Sequence, residues 1–529
     1  MPLSRPLFLT GMMGTGKSVL GQSIATRTGL PFVDLDRRIE ERAGMSIAQL
    51  FQERGEAAFR VVERSLLEAE LSDPTPRIVA LGGGALLDRE VRLRALEKGL
   101  VVALSAEANE LLRRLGTDRS RPLLEGGDRE ARLRSLLEAR RSSYAEAHAV
   151  IDVTSRSVLD VTLEVLAMAQ TDRVAVALGE RSYAVEIAPG RVREALAVAL
   201  ARLRPTRVVV VTDETVAGLH LSQLEDVLTQ ADPQWVRVVL PPGEKHKTMA
   251  SLETVLRAAV EVQVDRRSVL IAIGGGVVTD VGGLAAALAL RGIRWIAVPT
   301  TTLAMADASV GGKTAVDLGP AKNAVGAFHQ PAHVVVDPLL TRTEGLRAYR
   351  SGLAEVAKAA LLGAPAIWDE LLERAERLGA REDEELFARA LRAAIQVKAS
   401  IVSRDERESG ERAHLNLGHT VGHALEALGG FERWTHGEAV ALGLVAAMRV
   451  GQALGVTPKE LTTQTATVLD RLGLPTAVAD DEMREALRLV HYDKKRAGKL
   501  LRFVLVRAPG VVETMNLAPS RLVEALCPQ

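Results

Sequence analysis

The run Gly11-Met-Met-Gly-Thr-Gly-Lys17-Ser18 matches G-x-x-x-x-G-K-[ST] and follows an apolar strand pattern from Pro6 to Thr10. Glycines at that spacing let backbone N–H groups wrap phosphates, and a helix opening at Lys17 adds its positive end. Gly14, Thr15, Gly16, Lys17 and Ser18 are the candidate phosphate contacts, with Lys17 on the terminal phosphates and Ser18 on Mg²⁺. Asp34-Leu-Asp36 ends the next strand pattern, which places both carboxylates on one side of a sheet edge near that loop. One then supports Mg²⁺ while the other takes a proton from an acceptor hydroxyl; a helix cap is the bland alternative.

A second group of residues lies far along the chain. Four of the ten histidines fall between positions 414 and 436: His414, His419, His423 and His436. His419 and His423, at i and i+4, share a helix face, so spacing alone offers both as metal ligands, although Thr420 stands where H-E-x-x-H has glutamate. The stretch Ile273-Gly-Gly-Gly-Val-Val-Thr-Asp280-Val-Gly-Gly283 follows a strand without matching G-x-G-x-x-G, so it says only that backbone approaches something closely. There Asp280 serves equally well as a helix cap, and Pro241-Pro-Gly-Glu244-Lys245 as a cofactor loop or an ordinary turn.

Cation usage sharpens the second group. The chain has 55 Arg and 12 Lys, so each lysine marks a place where a compact, titratable ammonium is wanted. Of the ten lysines after residue 170, seven (Lys245, Lys313, Lys322, Lys358, Lys398, Lys494, Lys495) are among the candidate site residues named here and below; Lys247, Lys459 and Lys499 read as unremarkable.

These residues need α/β elements to position them. Up to about residue 170, short apolar runs (Pro6 to Thr10, Pro31 to Asp34, Arg77 to Leu81, Leu100 to Leu104, Val150 to Val153) alternate with helical patterns such as Ile47 to Leu71 and Glu130 to Ala147, predicting a parallel sheet covered by helices. A second alternation starts at Arg173, and beyond about Leu340 long helical patterns take over. The expected organisation is α/β: a P-loop kinase-type domain at 1–170, a Rossmann-like α/β subdomain at 171–338 and an α-helical subdomain at 339–529, with the second site between the last two.

Composition agrees and excludes other classes. At 529 residues, with 67 Lys+Arg against 67 Asp+Glu and 47% apolar residues, the chain fits two to four folded domains. Neither part carries the basic excess of a nucleic-acid binder, since residues 1–170 hold 24 Lys+Arg against 24 Asp+Glu. The lone Cys527 rules out an intramolecular disulfide and fits a reducing, cytoplasmic setting. The apolar stretches Val281 to Leu290 and Ala439 to Met448 fall short of the roughly 20 residues of a membrane span and read as buried helices. Nothing in the first residues marks export.

With Phe59-Arg60, Leu81-Gly82-Gly83-Gly84, Arg121-Pro-Leu-Leu124 and Arg140 before Tyr144, residues 5 to 168 resemble shikimate kinase. The resemblance implies that Asp36 contacts the shikimate hydroxyls as base, that Asp34 supports Mg²⁺ indirectly, that Arg60, Gly83 and Arg140 hold the shikimate carboxylate, and that Arg121 closes over the phosphates on a lid. Arg114 is a weaker candidate for stacking on adenine. A rival makes this part a nucleotide-sensing module without transfer activity, and Asp36, Arg60 and Arg140 argue against it by supplying an acceptor site.

Residues 174 to 510 resemble 3-dehydroquinate synthase, through the histidine cluster together with Arg291-Gly-Ile, Pro299-Thr-Thr-Thr302, Asp307-Ala-Ser-Val-Gly-Gly-Lys313, Lys322-Asn323, Ala354-Glu355-Val-Ala-Lys358 and Asp493-Lys494-Lys495. The resemblance implies Zn²⁺ (or Co²⁺) on Glu355, His419 and His436, with His423 left to phosphate contact and proton transfer. NAD is implied on Glu244, Lys245, Gly275, Gly276, Asp280, Thr300 and Thr301. Lys398 and Arg412 would pair with a substrate carboxylate, while Lys313, Asn323, Asn416, His423 and Lys494 or Lys495 would surround its phosphate, with Lys322 as a further substrate contact. Asp307 and Lys358 would contact hydroxyls, and Arg291 would reach across a homodimer interface. The implied chemistry is transient oxidation by NAD⁺, phosphate loss, re-reduction, ring opening and aldol closure. Another sugar-phosphate cyclase, or a metal-dependent polyol dehydrogenase, is the rival reading of this part.

Overall fold

The computed structural model of the chain describes residues 3–116, 128–319, 321–495 and 500–527, with side chains from 491 to 495 left out. Arg121, and the side chains of Lys494 and Lys495, lie outside what is described. The chain divides into two compact units, Met1–Glu186 and Ile187–Gln529.

In the first unit, strands β1 (Leu7–Gly11), β2 (Phe32–Asp34), β3 (Ile78–Ala80), β4 (Leu100–Ser105) and β5 (Ala149–Asp152) form a parallel sheet in the order β2-β3-β1-β4-β5. Leu7 pairs with both Ile78 and Leu100, and Leu7, Phe8 and Leu9 are fully buried because helices cover both faces of this central strand. The helix Ile47–Ser72 matches its predicted span; Ser46 and Gln49 cap it reciprocally, and Gly55, at φ 78°, breaks it internally. Strands β6 (Asp172–Val176) and β7 (Tyr183–Ile187) are neighbours. They fall largely on the N-terminal side of the division, where a buried Arg173–Glu186 ion pair of 2.8 Å and a Thr171 hydroxyl donating to Glu186 tie them together.

The second unit is built on β8 (Val208–Asp213), β9 (Val236–Leu240), β10 (Val269–Gly274), β11 (Arg294–Pro299) and, after a hairpin, β14 (His333–Val336), all parallel in the order β14-β11-β10-β8-β9. The hairpin pairs β12 (Lys313–Leu318) with β13 (Ala321–Phe328). Long helices follow, among them Leu346–Gly363, Glu384–Arg404, His419–Leu428 and His436–Ala453, and every residue from Ala439 to Met448 is buried as expected. Among the described residues no helix is long and apolar enough to cross a membrane. The expectation of helices alone after 339 needs correction: β15 (Leu501–Ala508) and β16 (Val511–Leu517) form an antiparallel hairpin, turned at Gly510 with φ 81°. Its apolar, β-branched alternation is a strand signal that the long helical patterns before it obscured.

Candidate active sites

The first site sits at the carboxyl edge of the β1 sheet, in a cleft of about 600 Å³ lined by Gly14, Gly16, Lys17, Ser18, Asp34, Asp36, Arg60, Gly83, Arg114 and Arg140 among others. Gly11, Gly14 and Gly16 all have positive φ (136°, 83° and 88°), and a Cβ on Gly11 would lie 2.3 Å from the Leu104 carbonyl oxygen. Only glycine builds that loop. Gly16 caps the helix Lys17–Thr28 without any side-chain hydrogen bond, leaving its first N–H groups to a ligand. Lys17 Nζ donates to the carbonyls of Gly11 (2.9 Å) and Met12 (3.2 Å), while the buried Thr15 hydroxyl donates to Met12 O and braces the turn.

Asp34 and Asp36 do not share a strand face. β2 ends at Asp34, whose Oδ1 accepts from the N–H groups of Asp36 (3.1 Å) and Arg37 (3.4 Å), so Asp36 stands in the first turn of the helix Leu35–Ala43. Capping overrode the strand pattern, and it leaves Asp34 fixing the turn that presents Asp36. Arg140 donates to Gly83 O (3.1 Å), which also accepts from the Tyr144 hydroxyl (2.6 Å). Arg60 is held by Glu56 and by Glu63, the latter at 2.6 Å. Arg114 is tied to Glu110 and to Val153 O.

Glu63 was not singled out from sequence. It is 3% exposed, its Oε1 has no hydrogen-bond partner, and a Cβ on Gly82 would meet that atom at 2.5 Å and Asp36 Oδ1 at 3.1 Å. Burial raises its pKa; Arg60 opposes the shift, and the Asp36 charge adds to it. Its place three residues after Arg60 on a helix was the available signal.

The second site gathers residues from several elements. Glu355 lies in the middle of the helix Leu346–Gly363, whereas His419 and His436 each open a helix. Thr435 and Glu438 form a reciprocal cap that fixes His436 at its helix start, and Glu438 also pairs with Arg347, so it serves structure rather than ligation. Gly437 permits the close approach, because a Cβ there would lie 1.8 Å from Ser351 O on the helix carrying Glu355. As a result Glu355 Oε1 faces His419 Nε2 at 3.6 Å and His436 Nε2 at 3.4 Å.

That oxygen is buried and accepts no hydrogen bond. Two donors about 2.05 Å from a tetrahedral ion lie about 3.3 Å apart, so the separations suit one zinc between them. Burial would raise the Glu355 pKa, but Lys358, which forms an ion pair with it, and then the two histidines hold it well below the usual range. Burial lowers His419 to about 3, with Lys358 adding to the shift. For His436, burial is outweighed by Glu355 and Glu426, which raise it to about 10. His423 stacks edge-on to His419 with ring centroids 5.1 Å apart, but the Glu355 group closes without it.

Around this group, Lys398 donates to the Asp307 carbonyl (2.6 Å) and pairs with its carboxylate (2.7 Å). Burial lowers the Lys398 pKa, with Asp307 opposing; at Asp307 burial is overcome by Lys398 and the carboxyl sits low. Arg412 is buried and donates to Gly311 O (2.9 Å), so Lys398 and Arg412 are anchored by protein groups before any substrate arrives. Glu408 joins two predicted phosphate contacts, pairing with Lys313 and accepting from Asn416 (2.5 Å).

At the ends of β10 and β11, Thr300 N–H donates to Gly274 O (3.0 Å), bringing Gly275, Gly276, Thr300 and Thr301 to one edge. The helix Gly276–Leu288 starts there with no side-chain cap. Lys247 proves to be the lysine of this region: it is 5% exposed, pairs with Asp280, and donates to Asn323 Oδ1 (2.6 Å), whereas Lys245 is exposed. Burial raises Asp280 to about 6 despite Lys247. An arginine-rich chain should have drawn attention to Lys247 as well. All four tryptophans (Trp235, Trp295, Trp368, Trp434) lie in this unit, so their fluorescence reports its unfolding alone. Lys247→Met is expected to destabilise it by about 3–5 kcal/mol in a urea titration, with Asp280→Asn in the same chain restoring much of the loss. A single variant within about 0.5 kcal/mol of wild type would show the pair to be inconsequential.

Comparison with known proteins follows the same division. The shikimate kinase family profile matches residues 13–170, and the 3-dehydroquinate synthase N-terminal and C-terminal profiles match 237–351 and 352–496. A 3-dehydroquinate synthase of Cereibacter sphaeroides is 40% identical over 361 residues, 67% of this chain and 97% of the relative; one from Halorhodospira halophila is 43% identical over 355 residues, covering 66% and 98%. Among solved structures, 2-epi-5-epi-valiolone synthase from Streptomyces hygroscopicus subsp. jinggangensis, with NAD⁺ and Zn²⁺ bound, superposes with TM-score 0.59 at 29% identity, over 66% of this chain and 97% of its own. The chain therefore belongs to the 3-dehydroquinate synthase family and carries a shikimate kinase domain ahead of that part, a bifunctional enzyme of the shikimate pathway.

Proposed function

We propose that the two sites work with the residues just described: the first transfers phosphate from MgATP to shikimate, and the second converts 3-deoxy-D-arabino-heptulosonate 7-phosphate to 3-dehydroquinate and phosphate. In the kinase unit the open N–H groups after Gly16 and the Lys17 ammonium receive the nucleotide phosphates, with Ser18 on Mg²⁺. Asp36, held by the Asp34 cap, accepts the proton of the attacking hydroxyl, and Arg60 and Arg140 bind the shikimate carboxylate.

In the synthase unit the observation that carries the reading is the buried Glu355 oxygen facing two imidazole nitrogens. Glu355, His419 and His436 would hold zinc, and Gly275, Gly276, Thr300, Thr301 and the Lys247–Asp280 pair would hold NAD. Held by these residues, NAD would supply reversible hydride exchange and zinc would supply Lewis acidity toward a substrate oxygen. Lys398 and Arg412 orient the substrate carboxylate; Lys313, Lys322, Asn323, Asn416 and His423 surround its phosphate, and Asp307 and Lys358 fix its hydroxyls. That cation pair favours a carboxylate-bearing substrate over a polyol. Arg291 stands in an exposed turn where Leu290, Arg291 and Gly292 all have positive φ, a position open to a second subunit of a homodimer; light scattering should return twice the chain mass.

The test is phosphate release and product mass from 3-deoxy-D-arabino-heptulosonate 7-phosphate with NAD⁺ and Zn²⁺, omitting ATP to silence the kinase. We expect 3-dehydroquinate, lost on chelation. Folded, metal-loaded protein that leaves this substrate untouched would transfer the assignment to another cyclase.

A further inference from the structure

Glu426 belongs to neither predicted ligand set, yet it is 3% exposed and sits at the metal group. It lies seven residues after His419 on the same helix, and its Oε1 is 3.4 Å from His436 Nδ1 and 3.4 Å from Lys322 Nζ. The opposite nitrogen of that ring, Nε2, is the one facing Glu355. An imidazole that donates Nδ1–H to a carboxylate has its Nε2 lone pair fixed in direction and made more basic. His419 is oriented differently, with Nδ1 set 3.2 Å from the Leu417 carbonyl oxygen.

Resting on the zinc reading above, we propose that Glu426 is a positioning residue for His436, holding Nε2 toward the metal and placing a negative charge behind the ring. A competing arrangement makes Glu426 a ligand itself, since its oxygen lies within 4.8 Å of ligand atoms of His423 and His436. Two features disfavour it. Lys322 already pairs with that same oxygen, so a cation there would compete with the lysine. Ligation through His436 Nδ1 would also remove the proton that this ring donates.

The test is Zn²⁺ affinity of the full chain, by competition with a chromophoric chelator in the absence of substrate. Glu426→Ala is expected to bind one zinc per chain about 10–100-fold more weakly than wild type, with kinase activity confirming the fold of the first unit and circular dichroism that of the whole. Glu426→Gln keeps the packing but loses the charge, and should also bind more weakly. Lys322→Met, which removes the cation competing for Glu426, should bind at least as tightly as wild type, and Glu355→Ala should lose the zinc. Wild-type affinity in Glu426→Ala, or full recovery in Glu426→Gln, overturns the proposal. Loss of zinc in Glu426→Ala with retention in Glu355→Ala makes Glu426 a ligand and overturns it as well. A wild-type chain that binds no zinc overturns the zinc reading and this inference with it.

Discussion

Glu355→Ala is expected to lower synthase kcat/KM by about 10³-fold or more, while shikimate phosphorylation by the same molecules stays within about twofold of wild type. Lewis-acid stabilisation by a metal is worth several kcal/mol, and each 1.36 kcal/mol is tenfold in rate. The size of the effect follows from the position of Glu355. Its carboxylate is buried, is kept ionised by Lys358, and supplies the oxygen on which both imidazole Nε2 atoms converge. Alanine there removes the anionic ligand and also strands Lys358, itself 3% exposed, without its partner. The kinase unit provides an internal control for concentration and handling. Metal content per chain should fall with activity, and folded Glu355→Ala protein that retains one zinc and turns over normally would remove Glu355 from the metal group.

The parts of these sites that sequence made legible are those with local causes. The phosphate loop is set by glycines at fixed spacing between a strand and a helix, so Gly11 to Ser18 appear in the structure as read. The i and i+4 spacing put His419 and His423 on one face of a helix that begins at His419, but the group around Glu355 takes His436 in place of His423, which that spacing could not show. The same periodicity extended to i+7 would have found Glu426. Glu63 and Lys247 were harder, since the spacing from Arg60 and the scarcity of lysine are faint signals and charged residues become fully informative only when tertiary packing buries them. The Asp34–Asp36 reading failed for a physical reason: a side chain accepting two backbone N–H groups ends the strand at Asp34, two residues before alternation would. The correction leaves Asp36 at the cleft and changes how it is held.

That change gives the kinase prediction its form. Asp36→Asn keeps the shape of the first helical turn, because the cap is formed by Asp34 and the backbone N–H of residue 36, so the loss should be chemical. We expect kcat for shikimate phosphorylation to fall by about 10²–10⁴-fold, the usual contribution of a positioned general base. The KM for ATP should change little, since the nucleotide contacts lie in Gly14 to Ser18, and the synthase activity should be untouched. Arg140→Ala should behave differently, raising the KM for shikimate by about tenfold or more with a smaller effect on kcat, as expected for a charge-assisted contact to the carboxylate. Glu63 sharpens the comparison, because two carboxyl groups share this pocket and only one of them should be limiting. Burial raises the Glu63 pKa, and the charge on Asp36 raises it further. With Asn at 36 that second contribution disappears, leaving Glu63 a stronger acid and Arg60 bound to it more firmly. A large loss in Asp36→Asn together with near-normal kcat in Glu63→Gln would assign proton acceptance to Asp36. The reverse pattern would move the base to Glu63 and leave Asp36 as a contact to the substrate hydroxyls.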